Sequence, residues 1–232
     1  MLMILTDLNI IKKKIKETYF FFLTKFLKIY NQKNIKSYLK KHNIAKLHLG
    51  AGKYYLPEWL NTDILLKSPD FVYLDVSKKF PIDQNKFDYI YSEHMIEHLC
   101  YKDCLNMLKE SYRILKPGGK IRITTPDLDV LIKIYYNKDC EFQDYIKWSS
   151  KENDLLSDES INVFNNFFQS WGHKFIYNKN FLKKKLLDIG FTKINFFNLS
   201  ISEDKNLENL ENIKRLPKNF LQIESFTIEA KK

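Results

Sequence analysis

The chain has 232 residues, 44% of them apolar and 28% charged, which suits one decorated α/β domain and excludes whole-chain disorder, collagen or coiled coil. The net charge is +10, but ten Lys against Asp7 and Glu17 put most of it in residues 1–45, so the basic character belongs to an N-terminal arm and no nucleic-acid partner is expected for the body. Three irregularly spaced Cys fit reduced thiols in a cytoplasm, and neither an apolar run of about 20 residues nor a basic-start leader is expected.

In chain order, Leu8, Ile11, Ile15, Tyr19, Phe22, Phe26 and Ile29 recur at spacings of three and four, predicting an amphipathic helix over 8–30. Two readings of it stay open: packing on the body with a solvated basic face, or peripheral contact with an anionic membrane surface or a partner. A short helix is expected near Ile35–Lys41. From Ala45 short apolar runs alternate with helical ones. Strands are predicted at Lys46–Leu49, Leu60–Ile64, Phe71–Val76, Phe87–Ser92 and Ile121–Thr125. An amphipathic helix is expected over Tyr101–Leu115, stopped by Pro117-Gly118-Gly119. Alternation of this kind argues for a parallel sheet covered on both faces. Residues 138–175 interrupt it with an acidic stretch and then an aromatic one. A helix over Asn180–Leu187 closed by Gly190, and β-like runs at Thr192–Phe197 and Ser225–Ala230, finish the chain. The division expected is an arm over 1–44 and one domain over 45–232, with an insert at 138–175.

In open parallel sheets ligands bind beyond the carboxyl ends of the strands. Gly50, Ala51 and Gly52 follow the first strand after His48 and Leu49, where absent side chains let a ligand approach the backbone. Asp63 ends the second strand and can accept both hydroxyls of a ribose, with Ile64 placed to cover an adenine face. Asp75 ends the third and can accept from an adenine amino group while the Val76 N–H faces a ring nitrogen. Ser92 closes the row. An acid at a strand end is often only a turn former, but four such features in order are more specific.

These segments, LHLGAG (Leu47–Gly52), LNTD ending at Asp63, YLDV around Asp75, FDYIYSEHMIEHL (Phe87–Leu99) and ILKPGGKIRI (Ile114–Ile123), resemble class I S-adenosylmethionine-dependent methyltransferases. The later HKFIYNKNFLKKKLLDIGF (His173–Phe191) is similar to that family's closing region. The resemblance implies a doubly wound, Rossmann-like, mostly parallel seven-stranded sheet with a C-terminal antiparallel hairpin. It also implies S-adenosylmethionine as cofactor, lined by Gly50, Gly52, Asp63, Asp75 and Ser92. Two departures stand out. The family's acidic residue two before the first glycine is His48 here, which keeps open a binding protein without turnover. Only eleven positions lead from Gly52 to Asp63, so an irregular loop with Pro57 and Trp59 is expected instead of a full crossover helix.

His94-Met95-Ile96-Glu97-His98 also matches the H-x-x-E-H pattern of zinc peptidases, with both His on one helix face. A third ligand is missing from the neighbourhood, so helix-start packing at the pocket is the better reading and no metal is expected. A sulfonium methyl is already activated, so alignment and water exclusion dominate, and a base matters where the acceptor is a hydroxyl. His94 is the first candidate base and His173, beside the aromatic insert, the second. Nothing resembles the motifs of nucleic-acid base methylators. The expected acceptor is a small polar metabolite or a saccharide, with Asn162–Trp171 suited to sugar stacking. Relatives with this short loop are often associated with surface-glycan pathways, which the resemblance carries over.

Overall fold

The computed structural model describes residues 31–66, 70–136, 139–217 and 219–232; the helix expected over 8–30, and with it any membrane contact, lies outside them. Residues 31–41 form helix α1. Strands β1 (Lys46–Leu49), β2 (Leu60–Asp63), β3 (Val72–Tyr73), β4 (Phe87–Glu93), β5 (Leu115–Pro126), β6 (Thr192–Phe197) and β7 (Ser225–Lys231) make one sheet in the order β3-β2-β1-β4-β5-β7-β6. The first five are parallel, and β7 runs antiparallel to both neighbours. Helices are α2 (Tyr101–Ile114), α3 (Leu128–Tyr136), α4 (Cys140–Glu152), α5 (Ser160–Gln169), α6 (Lys179–Ile189) and α7 (Phe220–Glu224). None among the described residues is long and apolar enough to cross a membrane.

Alternation along the strands sorts the two sheet faces. Leu47, Leu49, Ile90, Ile121 and Ile123 are buried on one face with Cys104, Met107 and Leu108 of α2, Leu182 and Leu186 of α6 and Ile35 of α1. Residues 31–41 therefore share the core of the body. The intervening positions carry a polar row: Asn61, His48, Tyr91, Arg122 and Glu229 pair in register across β2, β1, β4, β5 and β7. Arg122 is fully buried, with Nε 2.7 Å from Glu211 Oε1 and Nη1 2.6 Å from Glu229 Oε1. Glu211 Oε2 also accepts from the Ser200 N–H at 2.7 Å. This cluster ties the connection between β6 and β7 over the polar face, where Leu207 and Leu210 bury against Leu56, Trp59 and Tyr91.

Several elements differ from the sequence reading. β3 is two residues long because the Asp75 carboxylate turns the chain, with Oδ1 accepting from Ser77 N at 3.0 Å and Ser77 Oγ at 2.6 Å. β5 starts at Leu115 and crosses the expected stop. The register jumps from Phe87↔Leu115 to Tyr89↔Lys120, so Lys116–Gly119 bulge out of the ladder. Gly118 has φ +83°, and a Cβ at Gly119 would sit 2.9 Å from the Asp88 carbonyl oxygen. The insert is helical: α4 and α5 pack on α3 through Leu131, Ile134, Tyr145, Ile146, Val163 and Phe167. Asn178 caps α6 by accepting from Phe181 N, and Gly190, at φ +114°, ends it.

Candidate functional site: two clefts meeting at His94

The turn after β1 is shaped by its glycines. Gly50 and Gly52 have φ +65° and +59°, a region that costs L-residues strain. A Cβ at Gly50 would lie 2.2 Å from Met95 Cγ, whereas one at Gly52 meets nothing within 4 Å. Gly50 thus lets the turn close on the β4 end, and Gly52 leaves an open face. The turn is tied to β2, because Asp63 Oδ2 accepts from the Gly52 N–H and Oδ1 from the Leu65 N–H, both at 2.8 Å. Half-buried Asp63 is therefore a staple for the loop as well as a candidate ligand. Ile64 lies beyond β2 and is 55% exposed. Val76 packs against the main core, and Asp75 holds its own turn.

A cleft of about 270 Å³ opens above this turn, lined by His48, Gly50, Ala51, Gly52, Tyr54, Glu93, His94 and Arg215 among others. Leu49 is fully buried beneath it. Ser92 does not close the row of strand ends. It sits one residue inside β4, fully buried, with no partner for its hydroxyl. His48 is not a substitute acid. Asn61 Nδ2 donates to the Leu56 and Trp59 carbonyls, so Oδ1 is the acceptor, and the His48 ring must donate to it from Nδ1 at 3.0 Å. Burial pulls the His48 pKa down to about 4, against the opposing pull of Asn61.

The acid at this cleft is Glu93, which the sequence reading passed over. β1 and β4 pair Leu49 with Ser92, so the next residue of β4 falls beside the glycine turn. Glu93 Oε2 accepts from Tyr91 Oη at 3.2 Å and Asn212 N at 3.4 Å, while Oε1 is buried without a partner. Burial raises its pKa, opposed by His94 and Arg215. The Ser92-Glu93 pair at the strand end was the available signal. Asn212 and Arg215 were not legible, because their place depends on the Arg122–Glu211 contact.

A second cavity of about 410 Å³ lies beside the first, walled by Tyr145 and Trp148 of α4, Phe167 of α5, and Trp171. Of the expected Asn162–Trp171 stretch, Phe167 and Trp171 reach it. Glu152, Glu224, Arg215, Glu97 and the three histidines His94, His98 and His173 belong to its polar lining, with Ser149 and Asn153. Tyr145 Oη donates to Glu224 Oε2 at 2.5 Å, and burial raises the pKa of both groups.

The two cavities share His94 and Arg215. His94 and His98 do not share a helix face, as the sequence spacing suggested. His94 has φ +45°, and only a 3₁₀ turn, Ile96–His98, follows. His94 Nδ1 lies 3.2 Å from Glu97 Oε1, and Nε2 is 3.0 Å from Ser225 Oγ. Glu97 is fully buried, with Oε2 accepting from Thr125 Oγ1 at 3.0 Å. Burial pushes the Glu97 carboxyl up, but the hydrogen bond and charge of His94 outweigh it and bring the pKa below the ordinary value. A carboxylate there makes Nδ1 the donor and leaves Nε2 with its lone pair. His173 Nδ1 faces the Phe167 carbonyl at 2.6 Å. A carbonyl only accepts, so Nδ1 carries the proton and Nε2 is bare. Burial lowers the His173 pKa.

Residues 47–123 match the family model described as a methyltransferase domain. Among solved structures, the chain is similar to an S-adenosylmethionine-dependent methyltransferase from Mesorhizobium loti, at 15% identity and TM-score 0.50, over 82% of this chain and 91% of that one. It is also similar to a SAM-dependent methyltransferase from Archaeoglobus fulgidus, at 18% identity and TM-score 0.49, over 92% of this chain and 99% of that one. At 15% identity the likeness to the Mesorhizobium loti structure is one of fold. No curated protein matches the sequence.

Proposed function

We propose that the chain is an S-adenosylmethionine-dependent methyltransferase, a reading supported by the methyltransferase-domain match over residues 47–123, and that it methylates a hydroxyl of a saccharide or other small polar acceptor held in the cavity under α4 and α5. The observation that carries this reading is the meeting of two clefts at His94 and Arg215. The glycine-turn cleft fits the donor. Glu93 Oε1 is a buried acceptor in want of a cation, Arg215 offers a cation to a carboxylate, and the face of Gly52 is open. Asp63 and Asp75 are assigned to the ribose and the adenine, with Ile64 and Val76 as apolar cover. The donor supplies a methyl group on a positively charged sulfur.

The chain itself aligns the acceptor and handles its proton. Tyr145, Trp148, Phe167 and Trp171 give stacking faces for a sugar ring, and the cavity carboxylates accept from its hydroxyls. His94 Nε2 takes the reacting hydroxyl's proton, in the place where it now faces Ser225 Oγ. Glu97, on the other ring nitrogen, fixes the tautomer and stabilises the imidazolium. His173 Nε2 is the second candidate base. Glu93 supplies the acid that position 48 lacks, which weighs against binding without turnover.

The test is a screen of saccharides and small polar alcohols for release of S-adenosylhomocysteine. A hydroxyl acceptor should emerge. His94→Gln should lower kcat by about 10²–10⁴-fold, with donor affinity unchanged by calorimetry. Turnover confined to amines, or full kcat in His94→Gln, would overturn the reading.

A further inference from the structure

We infer that Glu97, His98 and His173 form a divalent-cation site in the wall of the acceptor cavity, of the imidazole-and-carboxylate type that zinc occupies. One ligand atom from each of the three lies within 4.8 Å of the others. The His98 and His173 rings stand 4.9 Å apart at 70°, so they do not stack on each other.

Backbone bonds set this convergence. The Glu97 carbonyl accepts from both Lys174 N at 2.7 Å and Phe175 N at 3.2 Å. The strap that follows Trp171 is thereby joined to the 3₁₀ turn that carries His98. The outer contacts are those metal ligands require. The Phe167 carbonyl takes the His173 Nδ1–H and leaves Nε2 as a lone pair, and Thr125 Oγ1 orients the Glu97 carboxylate. Two imidazoles and one carboxylate, with a cavity in front of them, match an open site that keeps a coordination position for a water or substrate oxygen.

This is not the site that H-x-x-E-H spacing suggests. In that pattern His94 and His98 bind the metal and Glu97 does not. Here the positive φ of His94 turns its ring to Glu97 and Ser225. The missing third ligand, His173, comes from 75 positions beyond His98. A cation there would polarise an acceptor hydroxyl and ease loss of its proton. Its use in methyl transfer rests on the proposed function, and the site itself does not. With the cation bound, His173 is a ligand and His94 alone remains as base.

The test uses the full untagged chain, stripped with chelator and titrated with Zn²⁺ against a chromophoric chelator at neutral pH. One Zn²⁺ per chain is expected. His98→Gln and His173→Gln should each weaken it by about 100-fold, while His94→Gln keeps the stoichiometry at one. S-adenosylmethionine affinity, measured on His98→Gln and His173→Gln, should be unchanged and reports that they are folded. Sub-stoichiometric zinc at every concentration, or equal binding by the His98→Gln/His173→Gln double variant, overturns the site. Zinc bound at one per chain without methyl transfer to any acceptor leaves the site standing and counts against the proposed function. Turnover that persists undiminished with no zinc bound overturns the cation's part in methyl transfer.

Discussion

The glycine-turn cleft and the aromatic cavity share a wall but are assembled by different means. The first is built mainly from the ends of β1, β2 and β4, within fifty residues of sequence, where strand register brings Glu93 beside Gly50, and Asn212 and Arg215 add one wall from the connection between β6 and β7. The second draws on α4, α5, the strap at His173, the 3₁₀ turn at Arg215 and the end of α7. Its members meet only because two buried polar anchors hold distant segments: Arg122 with Glu211, and the Glu97 carbonyl with Lys174 and Phe175. The donor side therefore depends mostly on local geometry, with one wall from a distant segment, and the acceptor side on long-range tethers throughout.

Cutting the larger tether should have the largest effect. Arg122→Met leaves Glu211 and Glu229 as buried charges without their cation, at a cost of about 3–5 kcal/mol. Urea unfolding should show this loss, and hydrogen exchange should locate its first signs in residues 198–217. A loss under 1 kcal/mol would mean that the tether is dispensable and that the two regions are held alike.

The donor side should reveal itself through acid. The folded-state pKa of His48, about 4, lies below the reference of about 6.5. The unfolded chain therefore binds the extra proton as pH falls. The His48 contribution is intact above pH 6.5 and is lost between pH 6.5 and 4, reaching about 3 kcal/mol at the lower end. His48→Asn, which keeps a donor for Asn61, should flatten the stability profile over that interval. A slope unchanged by the substitution would place the acid sensitivity elsewhere.

Asp63→Ala should weaken S-adenosylmethionine by a factor of about ten to several hundred, at 1.4 kcal/mol per decade, as read by calorimetry. Asp63→Asn should fall between it and the wild type. Asp63→Ala also strips the Gly52 and Leu65 N–H groups of their acceptor, so a stability loss of about 1 kcal/mol should accompany it. Wild-type affinity in a folded Asp63→Ala protein would remove Asp63 from the donor site and leave it as a loop staple.

Asp75→Ala should have the smallest effect. Its carboxylate serves the Ser77 turn, and the adenine would keep a backbone contact and apolar cover. A decrease in affinity below that of Asp63→Ala is expected, and a larger one would reverse the assignment of the two acids.

By itself the sequence determined the order and type of the elements from β1 to α2, the glycine turn, and the acids after β2 and β3, because these follow from side-chain periodicity and backbone preference within a few residues. It also carried the closing β6 and β7 pair. Element edges were less legible. Whether Asp75 continues a strand or turns it depends on Ser77, and whether Pro117-Gly118-Gly119 only stops a helix or bulges from a strand depends on the partner at Asp88. Only the tertiary structure decided that the insert is helical and walls a cavity, that His94 leaves the helix register while His173 joins His98, and that Glu93 and Arg215 face the glycine turn. These choices rest on contacts between segments some 75 to 110 positions apart, such as Glu97 with Lys174 and Arg122 with Glu211 and Glu229. Local propensity carries no information about a partner at that distance, whereas burial makes each of those polar groups find one.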